Sequence, residues 1–284
     1  NGSPLYELDL QRRFGHLRNG VRQPDLDNFV QASLLYTLKT RRPDLTLVHF
    51  TDADTNRHLY GVRSREAKEA LRRHDRRLGE IFRLLEEMGW SGCANVAVLG
   101  DHYQMDVNRA LCLNWYFLKR NWLTVRGRKV TGWRALAREC DGSCYIYLKD
   151  PSLCGAVREL LEQLKDRGMI GEVRTGREAA ALGADLACAF MAEGGEGVYF
   201  QNGWEAPVIT ADSGKLQRAT HGFYPDQAGY TTVFGGRGPA FAAGAREASM
   251  TLADEGATLA AAMGLKFSRA DGKIRKNLLS ISGN

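Results

Sequence analysis

Leu45-Thr-Leu-Val-His-Phe-Thr-Asp-Ala-Asp-Thr-Asn-Arg-His-Leu-Tyr-Gly61 is the stretch that decides how this chain is read. An apolar run, Leu45 to Phe50, stops at an acidic turn, and Asp54 and His58 follow four residues apart. A long helical pattern begins after them. The pattern predicts a strand, a loop carrying Asp54 and His58, and a helix. A second copy comes later: the apolar run Asn95 to Leu99, then Gly100, Asp101 and His102. Strand, helix, strand over this distance predicts a βαβ unit with a right-handed crossover and two parallel strands. Ligands bind open α/β sheets at the carboxyl ends of the strands. The two loops are therefore expected side by side, feeding one metal centre.

The surrounding chain is read as what builds and covers that centre. Its 284 residues are 44% hydrophobic and 25% charged, ordinary values for a globular protein, with a net charge of +6. No apolar run approaches the ~18 residues of a membrane span. Arg63, Arg65, Arg72, Arg73, Arg76, Arg77 and Arg83 lie on one predicted helix, Arg63 to Met88, and read as its solvated face. No aromatic residues interleave with them, so nucleic-acid binding is not expected. The six cysteines form no CxxC pair and read as buried free thiols.

Periodicity predicts further helices over Asp25 to Lys39, Pro151 to Arg167, Gly176 to Leu182 and Leu252 to Met263. Short strands are expected over Cys144 to Leu148, Gly197 to Phe200, Ala206 to Asp212 and within Thr231 to Phe241. The division expected is a core part over 1–113, an inserted α+β cap over 114–205 and a return to the core over 206–284.

Asp54, His58, Asp101, His102 and His221 are oxygen and nitrogen donors. Carboxylate with imidazole suits Zn, Mn or Fe better than Mg or Ca. Three of the six histidines fall at predicted strand ends, two of them beside an Asp. His49, inside the predicted strand, reads as structural. Tyr103 and Gln104 are placed to line the site, and Arg57, inside the first loop, to meet a phosphate oxygen or to form a surface ion pair. Gly235, Gly236 and Gly238 precede Pro239 and open no helix, so they are not a phosphate-binding loop.

Asp54-Thr-Asn-Arg-His58 resembles the D-x-x-x-H loop of the alkaline phosphatase superfamily. Gly100-Asp101-His102 is similar to its "DHG" element, with Tyr103 where Gly is usual, and Ala219-Thr-His221-Gly222 to its late "HG" element. The order and spacing are closest to the type I phosphodiesterase / nucleotide pyrophosphatase branch, over about Asp25 to Gly264. The resemblance implies an α/β fold of alkaline-phosphatase type: a sandwich with a mostly parallel central sheet, helices on both faces and an inserted cap. It implies two divalent metal ions, Zn before Mn or Fe, with Asp54, His58 and His221 on one and Asp101 and His102 on the other. It implies hydrolysis of phosphodiester or pyrophosphate bonds in a small phosphorylated or nucleotide substrate; Arg57 and Tyr103 are the substrate-binding candidates from the residues themselves. A phosphomutase, a phosphonate hydrolase or a non-catalytic metal-binding fragment are the other readings.

The family's first strand, with a further Asp, and its Thr or Ser nucleophile match nothing in residues 1–53. The sequence opens Asn1-Gly-Ser-Pro4, with no initiator Met and no signal-peptide pattern. It is expected to be the C-terminal portion of a longer cytoplasmic protein, with an incomplete second metal site, no catalytic nucleophile of its own, and little activity without the missing N-terminal segment.

Overall fold

Apolar residues spaced three and four apart make the principal helices of this computed structural model, which describes residues 2–210 and 216–280. The chain divides into two units. One comprises Asn1–Asp52, Leu71–Asp101 and Thr231–Asn284; the other comprises Ala53–Ala70 and His102–Tyr230.

In the first unit, helix Asp25–Arg41 turns Leu34 and Leu38 inward. They meet Leu84 of helix Arg65–Glu87, and Leu35, Phe50, Ile81 and Met88 pack around them. Beside this apolar contact lies a buried ionic cluster. Asp52 is fully buried and takes both Nε and Nη2 of Arg73, at 2.6 and 2.7 Å, and Nη1 of Arg77 at 3.2 Å. Asp27, also buried, accepts the N–H groups of Thr51 and Asp52. A carboxylate there satisfies donors that have no partner within helix Asp52–Tyr60 and complements its dipole. Two of the arginines expected on a solvated face are thus engaged in the interior.

Three expectations are corrected by the structure. Leu45 to Phe50 is not a buried strand. A strand needs neighbours for its N–H and C=O groups, and among the described residues this segment pairs with none. It carries no regular structure, with Leu45, Leu47 and Val48 at 55%, 85% and 40% exposure. His49 is exposed with it. Second, Asp54 and His58 sit on the α-helix Asp52–Tyr60, not on a loop. Third, the βαβ unit does not form: Val96–Leu99 pairs antiparallel with Phe234–Arg237. No mostly parallel central sheet results. Among the described residues the sheets have two to four strands, and only Val198–Phe200 against Arg109–Leu111 runs parallel.

The second unit holds the larger core. Strands Ala135–Cys140, Ser143–Leu148, Phe190–Gly194 and Ile170–Thr175 form an antiparallel sheet in the order first, second, third, fourth. Helix Cys154–Asp166 contributes Val157, Leu160, Leu161 and Leu164 to the same core as Ile146, Phe190 and Phe200. Val208–Thr210 is the strand expected over Ala206 to Asp212, whose last two residues lie outside the described ones. Cys112, Cys144 and Cys188 are buried free thiols as expected; Cys93, Cys140 and Cys154 are exposed. Among the described residues no helix is long and apolar enough to cross a membrane.

Two predictions concern the first unit. Asp52→Asn leaves Arg73 and Arg77 without their shared carboxylate, and breaking a buried ion pair costs about 3 kcal/mol. Urea denaturation followed by helix circular dichroism measures this; a loss under about 1 kcal/mol would contradict the buried-cluster reading. Asp254 accepts the N–H groups of Lys273 and Thr251 and pairs with Arg275. These contacts hold its carboxyl well below the usual carboxylate value of 3.8. A depressed carboxyl contributes stability that is present above that value and is lost as pH falls below it. Asp254→Asn is expected to cost about 1 kcal/mol at neutral pH and to flatten the acid limb of a stability-versus-pH profile. An unchanged acid limb would count against this.

Candidate metal centre

Helix Asp52–Tyr60 puts Asp54 and His58 one turn apart on the same face, since residues four apart are neighbours on a helix. His58 Nε2 lies 3.3 Å from Asp54 Oδ1. The helix stops at Gly61, whose φ of 99° is in the left-handed region and whose N–H bonds Arg57 O. Asp106 ties down the exit by accepting the N–H of Val62 at 2.7 Å.

A two-residue antiparallel ladder brings in the other histidines. Met105–Asp106 pairs with Ala219–Thr220, so His221 follows directly on one strand and His102 lies three residues before the other. The helix joins the same ladder: Arg218 N donates to His58 O at 2.7 Å, and His58 Nδ1 lies 2.8 Å from Ala219 O. His221 is also held by the hairpin of Ala135–Cys140 with Ser143–Leu148, where Gly142 N donates to His221 O. Gly222 is required at this crossing. Its φ is 76°, and a Cβ there would come within 2.1 Å of Cys140 O.

One ligand atom each from Asp54, His102 and His221 lie within 4.8 Å of one another. The rings of His102 and His221 stack with centroids 4.0 Å apart, and His58 meets His221 edge-on at 5.0 Å. The fold brings Asp54, His102 and His221 together directly, across the two expected ligand groups, with His58 joined through Asp54. Asp101 belongs to the first unit, where its carboxylate is exposed and lies 3.8 Å from His49 Nε2. Arg57 and Tyr103 lie against each other, the guanidinium 5.9 Å from the ring centroid. Sequence reading placed Gln104 only as lining; the structure buries it with its amide on Asp54.

The donor set fits a divalent transition ion. A carbonyl oxygen only accepts, so His58 Nδ1 carries a proton in its contact with Ala219 O, and Nε2 faces Asp54 as an N–H in the charged ring or with a lone pair in the neutral one. Two acceptors 3.3 Å apart need a positive charge on or between them. His102 Nδ1 likewise points at a carbonyl, that of Tyr103 at 3.3 Å, which makes Nε2 the lone-pair nitrogen. Charges are tuned to match. Burial pushes the Asp54 carboxyl up, but the hydrogen bond and charge of His58, with His221 and His102 behind it, outweigh burial and take it down. Burial and the neighbouring imidazole of His102 push His221 down and keep its lone pair available. Two imidazoles and a carboxylate are the ligands of choice for Zn or a similar ion.

A family model described as type I phosphodiesterase / nucleotide pyrophosphatase matches residues 6–224. Murine ectonucleotide pyrophosphatase/phosphodiesterase 5 has a similar fold. Its inactive variant in complex with AMP superposes with a TM-score of 0.68 at 18% identity, covering 90% of this chain and 63% of that one. Its unmodified form gives the same score and identity with 64% of its length covered. The human protein of the same name gives a TM-score of 0.68 at 17% identity, over 90% and 64% of the two chains. The chain thus spans less than two thirds of the length of these solved relatives. No curated protein matches its sequence. With its Asp54/His58, Asp101/His102 and His221/Gly222 motifs in order and the family match running through all three, this chain belongs to the type I phosphodiesterase / nucleotide pyrophosphatase family.

Proposed function

We propose that this chain carries the metal centre for hydrolysis of phosphodiester or pyrophosphate bonds in small phosphorylated or nucleotide substrates. The observation that carries the reading is the convergence of Asp54, His102 and His221 within 4.8 Å, with His58 against Asp54. Asp54, His58 and His221 would hold one divalent ion, and His102 would offer a ligand to a second. Zn suits this mixture of nitrogen and oxygen donors, and Mn or Fe are the alternatives.

A divalent ion bound there would supply positive charge to the phosphoryl oxygens and lower the pKa of a hydroxyl or water. The protein's own residues do the rest. The Tyr103 and Ala219 carbonyls hold the His102 and His58 rings in the tautomer that presents Nε2. The partly buried Arg57, whose Nε makes no hydrogen bond, offers a cation to a phosphate oxygen and rests against the Tyr103 ring. The hydroxyl nucleophile is expected outside this sequence, as is the rest of the second metal site, and the cap over 114–205 is expected to set substrate choice.

Zn²⁺ titration of the chain is expected to show one tight site. Asp54→Ala and His221→Ala should each weaken it by at least about 100-fold, beyond the 10–100-fold typical of supporting residues. No uptake, or uptake indifferent to both substitutions, would refute the assignment. Gly222→Ala should weaken Zn²⁺ binding as well, because His221 has to shift to clear the added Cβ from Cys140 O. Hydrolysis of a chromogenic phosphodiester by the Zn- or Mn-loaded chain is expected to run at least about 10³-fold below that of the chain joined to a nucleophile-bearing segment. Equal rates would mean that the hydroxyl lies within this sequence.

A further inference from the structure

We infer that Gln104 is a positioning residue that fixes the Asp54 carboxylate for a bound cation, an inference that rests on the metal centre proposed above. Gln104 is 1% exposed. Its Nε2 donates to Asp54 Oδ1 at 2.5 Å and lies 3.3 Å from the Asp54 main-chain oxygen. Both partners are acceptors, so the amide has to present its NH₂ group to them. The orientation leaves Gln104 Oε1 buried with no hydrogen-bond partner.

That unpaired oxygen is informative. A buried acceptor without a donor destabilises the fold, and an apolar side chain of the same length would avoid the penalty. A polar group kept at such a cost is the mark of a functional constraint. The beneficiary is Asp54. Held by the Gln104 amide on both its carboxylate and its main-chain oxygen, Asp54 cannot rotate its carboxylate without breaking a hydrogen bond. The carboxylate then meets a cation already oriented beside His58 and His221. Glu at position 104 would fail in this role, because it would set a second carboxylate against Oδ1. Outer residues that orient a ligand in this way typically change metal affinity 10–100-fold when removed.

The test uses the 284-residue chain, Gln104→Met, which matches the length without donor or acceptor, and Gln104→Asn, whose amide is one methylene too short to reach. Zn²⁺ affinity is measured by competition with a chromophoric chelator, Co²⁺ coordination by its visible absorption bands, and stability by thermal melting. Both variants are expected to bind Zn²⁺ about 10–100-fold more weakly and to show altered Co²⁺ bands. The Tm of Gln104→Met should stay unchanged or rise. Parental affinity and an unaltered Co²⁺ spectrum in both variants would overturn the inference. So would a fall in Tm that tracks the loss of affinity in both, since that marks a structural residue. If the unmodified chain takes up neither ion, the metal reading fails and this inference with it. If it takes up both, Asp54→Ala abolishes uptake and the Gln104 variants bind like the parent, this inference alone fails.

Discussion

A carbonyl oxygen cannot donate, and much of the centre follows from that. Ala219 O faces His58 Nδ1, so the proton of the neutral ring is committed there and Nε2 turns a lone pair toward Asp54. The approach at 3.3 Å is tolerable only with positive charge on the ring or between the two groups. Burial works against charging the ring, but the Asp54 hydrogen bond and charge outweigh it and the His58 pKa is raised. A proton on His58 and a cation between His58 and Asp54 meet the same requirement and exclude each other, as metal and proton compete at any imidazole ligand.

Keeping that contact requires three chain segments to hold their places. The start of the helix is fixed by Asp27 on the N–H groups of Thr51 and Asp52, and by Arg73 and Arg77 on the Asp52 side chain. The Ala219–Thr220 strand is fixed by its ladder with Met105–Asp106, which also sets where His102 and His221 emerge. The hairpin turn at Asp141-Gly142 closes on His221 and Gly222 so tightly that both glycines exclude a side chain. Local chemistry thus sets each side chain's direction, and backbone pairing sets the distance between them.

How much of this is legible in the sequence depends on the range of the interaction. Amphipathic spacing identifies Arg65–Glu87, Cys154–Asp166 and Leu252–Ala262 to within a few residues, because the signal is local and strong. The residues of the centre are legible as types in a pattern: Asp54, His102 and His221 do converge. Leu45 to Phe50 misleads because apolar composition says what a segment could bury, not whether anything covers it. The parallel sheet fails for the same reason: Val96–Leu99 takes its neighbour from Phe234–Arg237, more than 130 residues away by numbering. Arg73 and Arg77 look like surface charge because Asp27 and Asp52, which draw them inward, are 21 to 50 residues distant by numbering. Gln104 carries no pattern at all; only its burial and its contact reveal it.

Among the described residues, three unsatisfied buried polar atoms lie at the centre, and others lie at Gln31, Ser33, Ser143 and Gln217. Arg57 Nε, Gln104 Oε1 and Thr220 Oγ1 are buried without hydrogen-bond partners. Arg57 precedes His58, Thr220 precedes His221, and Gln104 holds Asp54. Each such group costs about 1–3 kcal/mol, so three together are comparable with the 5–15 kcal/mol margin of a typical domain. The apolar core of the same unit offsets this, since Ile146, Leu161, Phe190 and Phe200 are each 2% exposed or less and full burial of such a side chain contributes about 1.5–3 kcal/mol. The core can therefore hold polar groups in arrangements that local energetics would reject, and three of them lie beside Asp54, His58 and His221. A site assembled for stability alone would have filled position 104 with an apolar side chain and paired the hydroxyl at 220.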